Sequence, residues 1–201
     1  MDIPVVASVS GIHTLKRYRI ANSYFAGGAC PPTDCRIAFV KASGFAVVME
    51  CQESNPHAYF KNHDDPVYQD SCMEFFVDFY PQSGKGYLNF EVNANGAMLS
   101  MLGPTRENRP FLRQLGLTAP NPRVTVGETN WTVELFFPLS FIEQVYGRCD
   151  FLPGYVIRGN FYKCGDKTAV PHWWTLFPLG EHPVDFHQPE TFGEMVIGAF
   201  A

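Results

Sequence analysis

The chain has 201 residues, of which 46% are hydrophobic and only 17% charged, and its formal net charge is −5. That is enough apolar material for one packed domain, and without a basic cluster nothing draws in nucleic acid or an anionic membrane. No apolar run approaches ~18 residues, so no spanning helix is expected.

Strands dominate the pattern in chain order. Residues 36–41 (RIAFVK) and 44–51 (GFAVVMEC) read as a hairpin separated by Ala42 and Ser43. Residues 72–80 (CMEFFVDFY) alternate Met73, Phe75, Val77 and Phe79 with a face that carries Glu74, Phe76 and Asp78. Residues 86–93 (GYLNFEVN) alternate Leu88, Phe90 and Val92 with Tyr87, Asn89, Glu91 and Asn93. Asn95-Gly96 is a strong hairpin signal leading into 97–102. A long loop, 103–122, carries Arg106, Arg109 and Arg113. Residues 123–127 and 131–137 form a second hairpin around Glu128-Thr129-Asn130. Residues 140–146 read as the one short helix, with Ser140 as N-cap and Glu143 at the capping-box offset. Residues 155–162 and 191–197 supply the last strands. The expectation is a single domain over 1–201, all-β, an antiparallel β-sandwich of jelly-roll type with one short helix.

The six cysteines (Cys30, Cys35, Cys51, Cys72, Cys149 and Cys164) are scattered, four of them inside apolar or strand-like segments. Cys30 and Cys35 frame CPPTDC, a spacing suited to a local disulfide or half a zinc site, but no second pair completes one. Buried reduced thiols are the expected state. The start, MDIPVVASVSGIHTLKRYRI, lacks a basic segment followed by an apolar one, so no secretion signal is read there. Together these readings favour a cytoplasmic location.

Residues 171–194 (PHWWTLFPLGEHPVDFHQPETFGE) concentrate aromatic, proline, histidine and carboxylate residues with neither a helical nor a strand period. Aromatic faces beside fixed polar groups on a stiffened loop suit a small ligand that is part apolar and part hydroxyl, as a sugar is. The planar polar face of Tyr87, Asn89, Glu91 and Asn93 points the same way, provided its strand pairs with that of Glu74. Arg106 or Arg109 would then offset the carboxylates. The alternative is a solvated sheet face. Extended backbone would send Trp173 and Trp174 to opposite faces. Trp174, with Leu176 and Pro178, leads toward the loop and is the expected ligand-facing ring. Glu74 and Glu91 could instead be a glycosidase carboxylate pair. His172, Asp185 and His187 are conceivable transition-metal ligands. Calcium at Asp64, Asp65 and Asp70 suits the oxygen-rich loop better, although Asp64-Asp65-Pro66 also makes an ordinary turn.

With these residues in place the chain resembles the family 9 carbohydrate-binding modules, within the DOMON-like sandwiches. The resemblance rests on Gln69-Asp70-Ser71, Glu74-Phe75-Phe76, Tyr87, and the run Asn89-Phe90-Glu91-Val92-Asn93. It continues through Trp131, Glu134 and Pro138, then Arg158-Gly159-Asn160-Phe161-Tyr162-Lys163, Asp185-Phe186-His187 and Phe192-Gly193-Glu194. It implies a jelly-roll-like sandwich, calcium in some members, and a sugar or glycan end held between two aromatic rings. By position, Tyr68 would supply one ring and Trp173 or Trp174 the other, with Glu74, Glu91 and an arginine on the hydroxyls. This chain departs in having Tyr68 rather than Trp, and Glu91 where an arginine would be expected. The expected function is non-catalytic binding of a mono- or oligosaccharide from plant polysaccharide, alongside glycoside hydrolases. A hydrolase or lyase using Glu74 and Glu91, or a protein-interaction scaffold, is the alternative.

Overall fold

Strands with a two-residue apolar period bury that face by packing sheet on sheet, and this chain forms two sheets. The computed structural model describes residues 1–23, 28–180 and 185–200. In chain order the first strands are β1 (Asp2–Ile3), β2 (Val5–Val6), β3 (Tyr18–Arg19), β4 (Asn22–Ser23), β5 (Thr33–Val40), β6 (Gly44–Cys51) and β7 (Cys72–Asp78). Next come β8 (Tyr87–Asn93), β9 (Met98–Gly103), β10 (Arg123–Val126), β11 (Trp131–Pro138) and the helix α1 (Leu139–Tyr146). The last are β12 (Val156–Cys164), β13 (Trp173–Thr175) and β14 (Gly193–Ile197). One sheet runs β1-β14-β12-β7-β8-β9, with β13 added to β12 and β4 to β13. The other runs β10-β11-β6-β5-β2, with β3 also on β5. Apart from the short parallel pairs β1–β14 and β2–β5, the pairings are antiparallel.

The inter-sheet core is built by the alternation. Met73, Phe75 and Val77 of β7 and Leu88, Phe90 and Val92 of β8 meet Phe45, Val47 and Met49 of β6 and Val133, Leu135 and Phe137 of β11. Each such side chain contributes about 1.5–3 kcal/mol by leaving water. The opposite parity sends Glu74, Phe76, Tyr87, Asn89 and Glu91 to the outer face of the first sheet. That face is not solvated. Phe76, Tyr87, Leu99, Tyr162, Phe186 and Phe192 form a second apolar cluster over it, and Glu74, Asn89, Glu91 and Asn93 are all buried.

Several boundaries differ from the sequence expectation. Pro138 occupies the N-cap position of α1 without any side-chain cap, so Ser140 lies inside the first turn. Apolar burial of Phe141, Ile142, Val145 and Tyr146 holds the helix instead. Within the aperiodic stretch, Trp173–Thr175 is a strand. All six cysteines are free thiols, Cys35 in the core and Cys30 half-buried. No helix among the described residues is long and apolar enough to cross a membrane.

Two side chains fix the end and the edge of the sandwich. Lys163 is fully buried and its ammonium donates to Ser71 Oγ at 2.9 Å, Cys164 O at 3.0 Å and His172 Nε2 at 2.9 Å. An ammonium can only donate, so His172 Nε2 accepts and its Nδ1 carries the proton given to Val170 O. Glu53 completes the cluster, accepting from Ser71 Oγ and from Nε1 of Trp131 in the other sheet. The edge of β12 is shared: β14 pairs along Val156–Gly159 and β13 along Tyr162–Cys164. Asn160 sits in the gap, giving Nδ2–H to Phe177 O and taking the Phe177 amide on Oδ1. Gly193 makes room there, since a Cβ would lie 2.4 Å from the Phe177 ring.

Candidate functional site

Strand register assembles a cavity of about 210 Å³ on the covered outer face. Glu74 lies directly opposite Glu91 across β7–β8 and opposite Tyr162 across β7–β12. Cys164 lies opposite Trp173 across β12–β13. Glu74, Phe76, Glu91 and Cys164 therefore reach the cavity from the sheet, with Trp173 beside them. Tyr68, Arg106, Asp166, Phe186 and His187 reach it from the connecting segments.

The carboxylates are in unusual states. Burial, then the neighbouring Cys164 and Glu91, hold Glu74 well above the ordinary carboxylate range; Cys164 Sγ donates to its Oε1 at 2.9 Å. Glu91 is pushed up to about 7 by burial, against the pull of Asn89 and Arg109. Asn89 Nδ2 donates to its Oε1 at 2.9 Å, and its Oε2 has no hydrogen-bond partner. Arg109 lies over the Tyr87 ring at 3.9 Å and donates to Asn89 Oδ1 at 2.5 Å and Gly103 O at 2.8 Å. It thus fixes Asn89, which in turn holds Glu91. Arg106 pairs with Asp185 at 3.1 Å. Trp173 Nε1 donates to Asp166 Oδ1 at 2.6 Å, orienting the indole. His187, lowered to about 4 by burial and by Arg109, shares a 2.8 Å hydrogen bond with the Tyr87 hydroxyl. Aromatic surface beside orienting polar groups is the composition of a site for a part-apolar, hydroxyl-rich ligand.

Residues 16–197 match the carbohydrate-binding family 9 description, which spans most of this covered sandwich. The chain belongs to carbohydrate-binding family 9. Its fold is similar to that of a proposed carbohydrate-binding protein from Bacteroides uniformis, with TM-score 0.81, 23% identity and 98% of each chain covered. It is also similar to a family 9 module from Caldicellulosiruptor kristjanssonii solved with glucose, with TM-score 0.70, 12% identity, and 100% of this chain and 96% of that one covered. A cellotriose complex from the same organism gives TM-score 0.70 at 10% identity, covering 100% and 95%. No curated protein matches the sequence.

Within this family 9 chain the expected site residues fall into three places. Tyr68, Glu74, Glu91, Arg106 and Trp173 line the cavity. Asn89 and Arg109 lie buried next to it and act on it through Glu91. Trp174 does not face it: opposite Lys163 on β12, it packs against the inter-sheet core. The expectation that Trp174 is the ligand-facing ring is therefore corrected, because β13 pairs in the register that puts Trp173, not Trp174, beside Cys164 and the cavity. Asp166, Cys164 and His187 also line the cavity. Asp166 carried no motif, yet it follows Cys164 at the strand parity that points outward. His172, Asp185 and His187 do not meet as a ligand set: His172 is held by Lys163, Asp185 by Arg106 and His187 by Tyr87.

At the three aspartates where the sequence suggested calcium, each carboxylate already has a protein partner. Asp64 pairs with Arg113. Asp65 accepts from the Asn62 amide at 3.1 Å. Asp70 is buried and accepts from Phe60 N and Asn93 Nδ2 at 3.0 and 2.8 Å. Among the described residues no group of convergent ligand atoms joins these three carboxylates. Adding calcium to metal-stripped protein is expected to leave the melting temperature unchanged in differential scanning calorimetry.

The state of Glu91 has a measurable sign. Its ordinary value of 4.5 rises to about 7 in the folded chain. Between those values the folded chain keeps a proton that the unfolded chain has lost, so stability falls as pH rises through that window. Glu91→Gln should therefore gain stability relative to the wild type from about pH 5 to pH 8, by on the order of 1–3 kcal/mol. Urea melts at both pH values check this. His172 and His187 titrate with the opposite slope, but equally in both chains, and cancel from the difference. Glu74, which Glu91 helps to raise, does not cancel and adds in the same direction.

Proposed function

We propose that this family 9 chain binds a glucose-type monosaccharide or the end of a plant-derived oligosaccharide, without cleaving it. The observation that carries the reading is the cavity itself, in which Trp173, oriented by Asp166, stands beside the polar pair Glu74 and Glu91. Its size suits a sugar unit better than a polymer lying along the sheet. The Caldicellulosiruptor kristjanssonii family 9 structures with glucose and with cellotriose support the ligand class. The glycosidase alternative rests on Glu74 and Glu91 facing each other across β7–β8, and product analysis of the titrated sugars decides it. A chain that holds a glycan end in this way would act beside glycoside hydrolases, not in place of them.

Calorimetric titration with glucose, xylose, cellobiose and cellotriose, with product analysis of the same samples, tests this. Saturable heat with intact sugar is the expected result. Cleavage abolished by Glu74→Gln would make the chain an enzyme, and no binding across a glycan array would remove the sugar reading.

A further inference from the structure

We propose that Cys72, Glu74 and Cys164 form a binding site for one thiophilic divalent metal ion, of which zinc is the natural example, opening into the cavity. The donor atoms of these three buried side chains all lie within 4.8 Å of one another. Cys72 and Cys164 are direct cross-strand partners on β7 and β12, and Glu74 projects from the same face two residues further along β7. The register therefore fixes the triangle. Cys164 Sγ already gives its hydrogen to Glu74 Oε1 at 2.9 Å, so two of the three donor atoms are in contact.

The distances fit the chemistry. A tetrahedral zinc ion with sulfur at ~2.3 Å and oxygen at ~2.0 Å holds its donors about 3.5–3.8 Å apart, which needs only a small contraction of side-chain rotamers. Two sulfurs and one oxygen select zinc, cobalt or cadmium over calcium and magnesium, which prefer oxygen alone. On binding, the two thiols and the Glu74 carboxyl release their protons to solvent, and the three anionic donors exceed the metal charge by one. Three protein ligands leave a fourth position for water or a ligand hydroxyl.

A second, independent observation lies in the same place. Glu91 Oε2 is buried without a hydrogen-bond partner, and Glu91 lines the same cavity as Glu74 and Cys164. Buried carboxylate oxygens are rarely left unpaired, and a water held on the fourth metal position would supply the donor. The cavity also provides the entry path, since Glu74 and Cys164 both line it. The site shares Glu74 and the cavity with the sugar reading, but cobalt binding is measured without sugar, so either can fail alone.

Cobalt(II) titration of the reduced, metal-stripped full chain tests it. One equivalent should bring up a thiolate-to-cobalt charge-transfer band together with the visible bands of tetrahedral cobalt. Cys72→Ala and Cys164→Ala, each confirmed as folded by its thermal melt, should weaken cobalt binding at least about 100-fold. A wild-type chain without the charge-transfer band at stoichiometric cobalt overturns the proposal, as does a band of equal strength in both variants. X-ray absorption on zinc-loaded wild type gives a test that needs no variant. Two sulfur neighbours are expected, and a shell of nitrogen and oxygen alone overturns the site.

Discussion

Trp173→Ala is expected to weaken sugar binding by about 30-fold or more, a loss of ~2 kcal/mol, while the chain still folds. The indole lines the cavity, is held in orientation by Asp166, and belongs to a three-residue strand on the split edge of β12. Truncation removes the stacking surface but leaves the inter-sheet core untouched. Trp174→Ala should do the reverse. That ring packs against the core, and because it is only partly buried its loss should cost about 2–3 kcal/mol, somewhat less than a full core tryptophan. Calorimetric titration and thermal melts of both variants separate the two effects. Equal affinities in the two would place the ligand elsewhere on the molecule.

The largest stability loss is expected from Lys163→Met, about 3–5 kcal/mol. Lys163 has no solvent exposure, and each of its three ammonium hydrogens meets an acceptor, one of them the Ser71 hydroxyl that also holds Glu53. Methionine fills the space but leaves His172 Nε2 and the Cys164 carbonyl without their donor, and Glu53 without its nearest cation, 4.0 Å away. Unpaired buried groups carry most of the penalty. Trp131 ties the same cluster to the second sheet through Glu53, so the damage crosses the sandwich rather than staying on β12. Ser71→Ala removes one arm only and should cost about 1–2 kcal/mol. Urea midpoints for the two variants test the ranking, and a Lys163→Met loss below that of Ser71→Ala would refute it.

Much of this architecture was legible because a strand buried on one face writes its period into the sequence. Residues 72–80 and 86–93 showed which side chains face the second sheet, and β7 and β8 pair with Glu74 opposite Glu91. The helix was legible from its apolar residues but not from its cap, since Pro138 holds that position with no side-chain hydrogen bond. Alternation also required that Trp173 and Trp174 part company, but not which way. That depends on β13 meeting β12 at Cys164 and Lys163, a long-range register with no local signature. The same limit hid the burial of Asn89 and Glu91. The solvated alternative stayed open because the residues that cover this face, Phe186 and Phe192, lie about a hundred residues later in the chain.

The shared edge of β12 has a consequence for how this scaffold diversifies. Residues 176–192 leave from β13 and return to β14, and both strands hydrogen-bond to the same β12, with Asn160 clamping the departure point at Phe177. Its two anchors are set by the sheet, not by the length of chain between them. Doubling such a connection adds only about 0.6 kcal/mol of closure entropy. Between Phe177 and Phe186 the connection can therefore change in length at little entropic cost, as long as Phe186 and Phe192 keep their cover over the sheet. Divergence among related chains should then concentrate between these anchors and spare β7, β8 and β12.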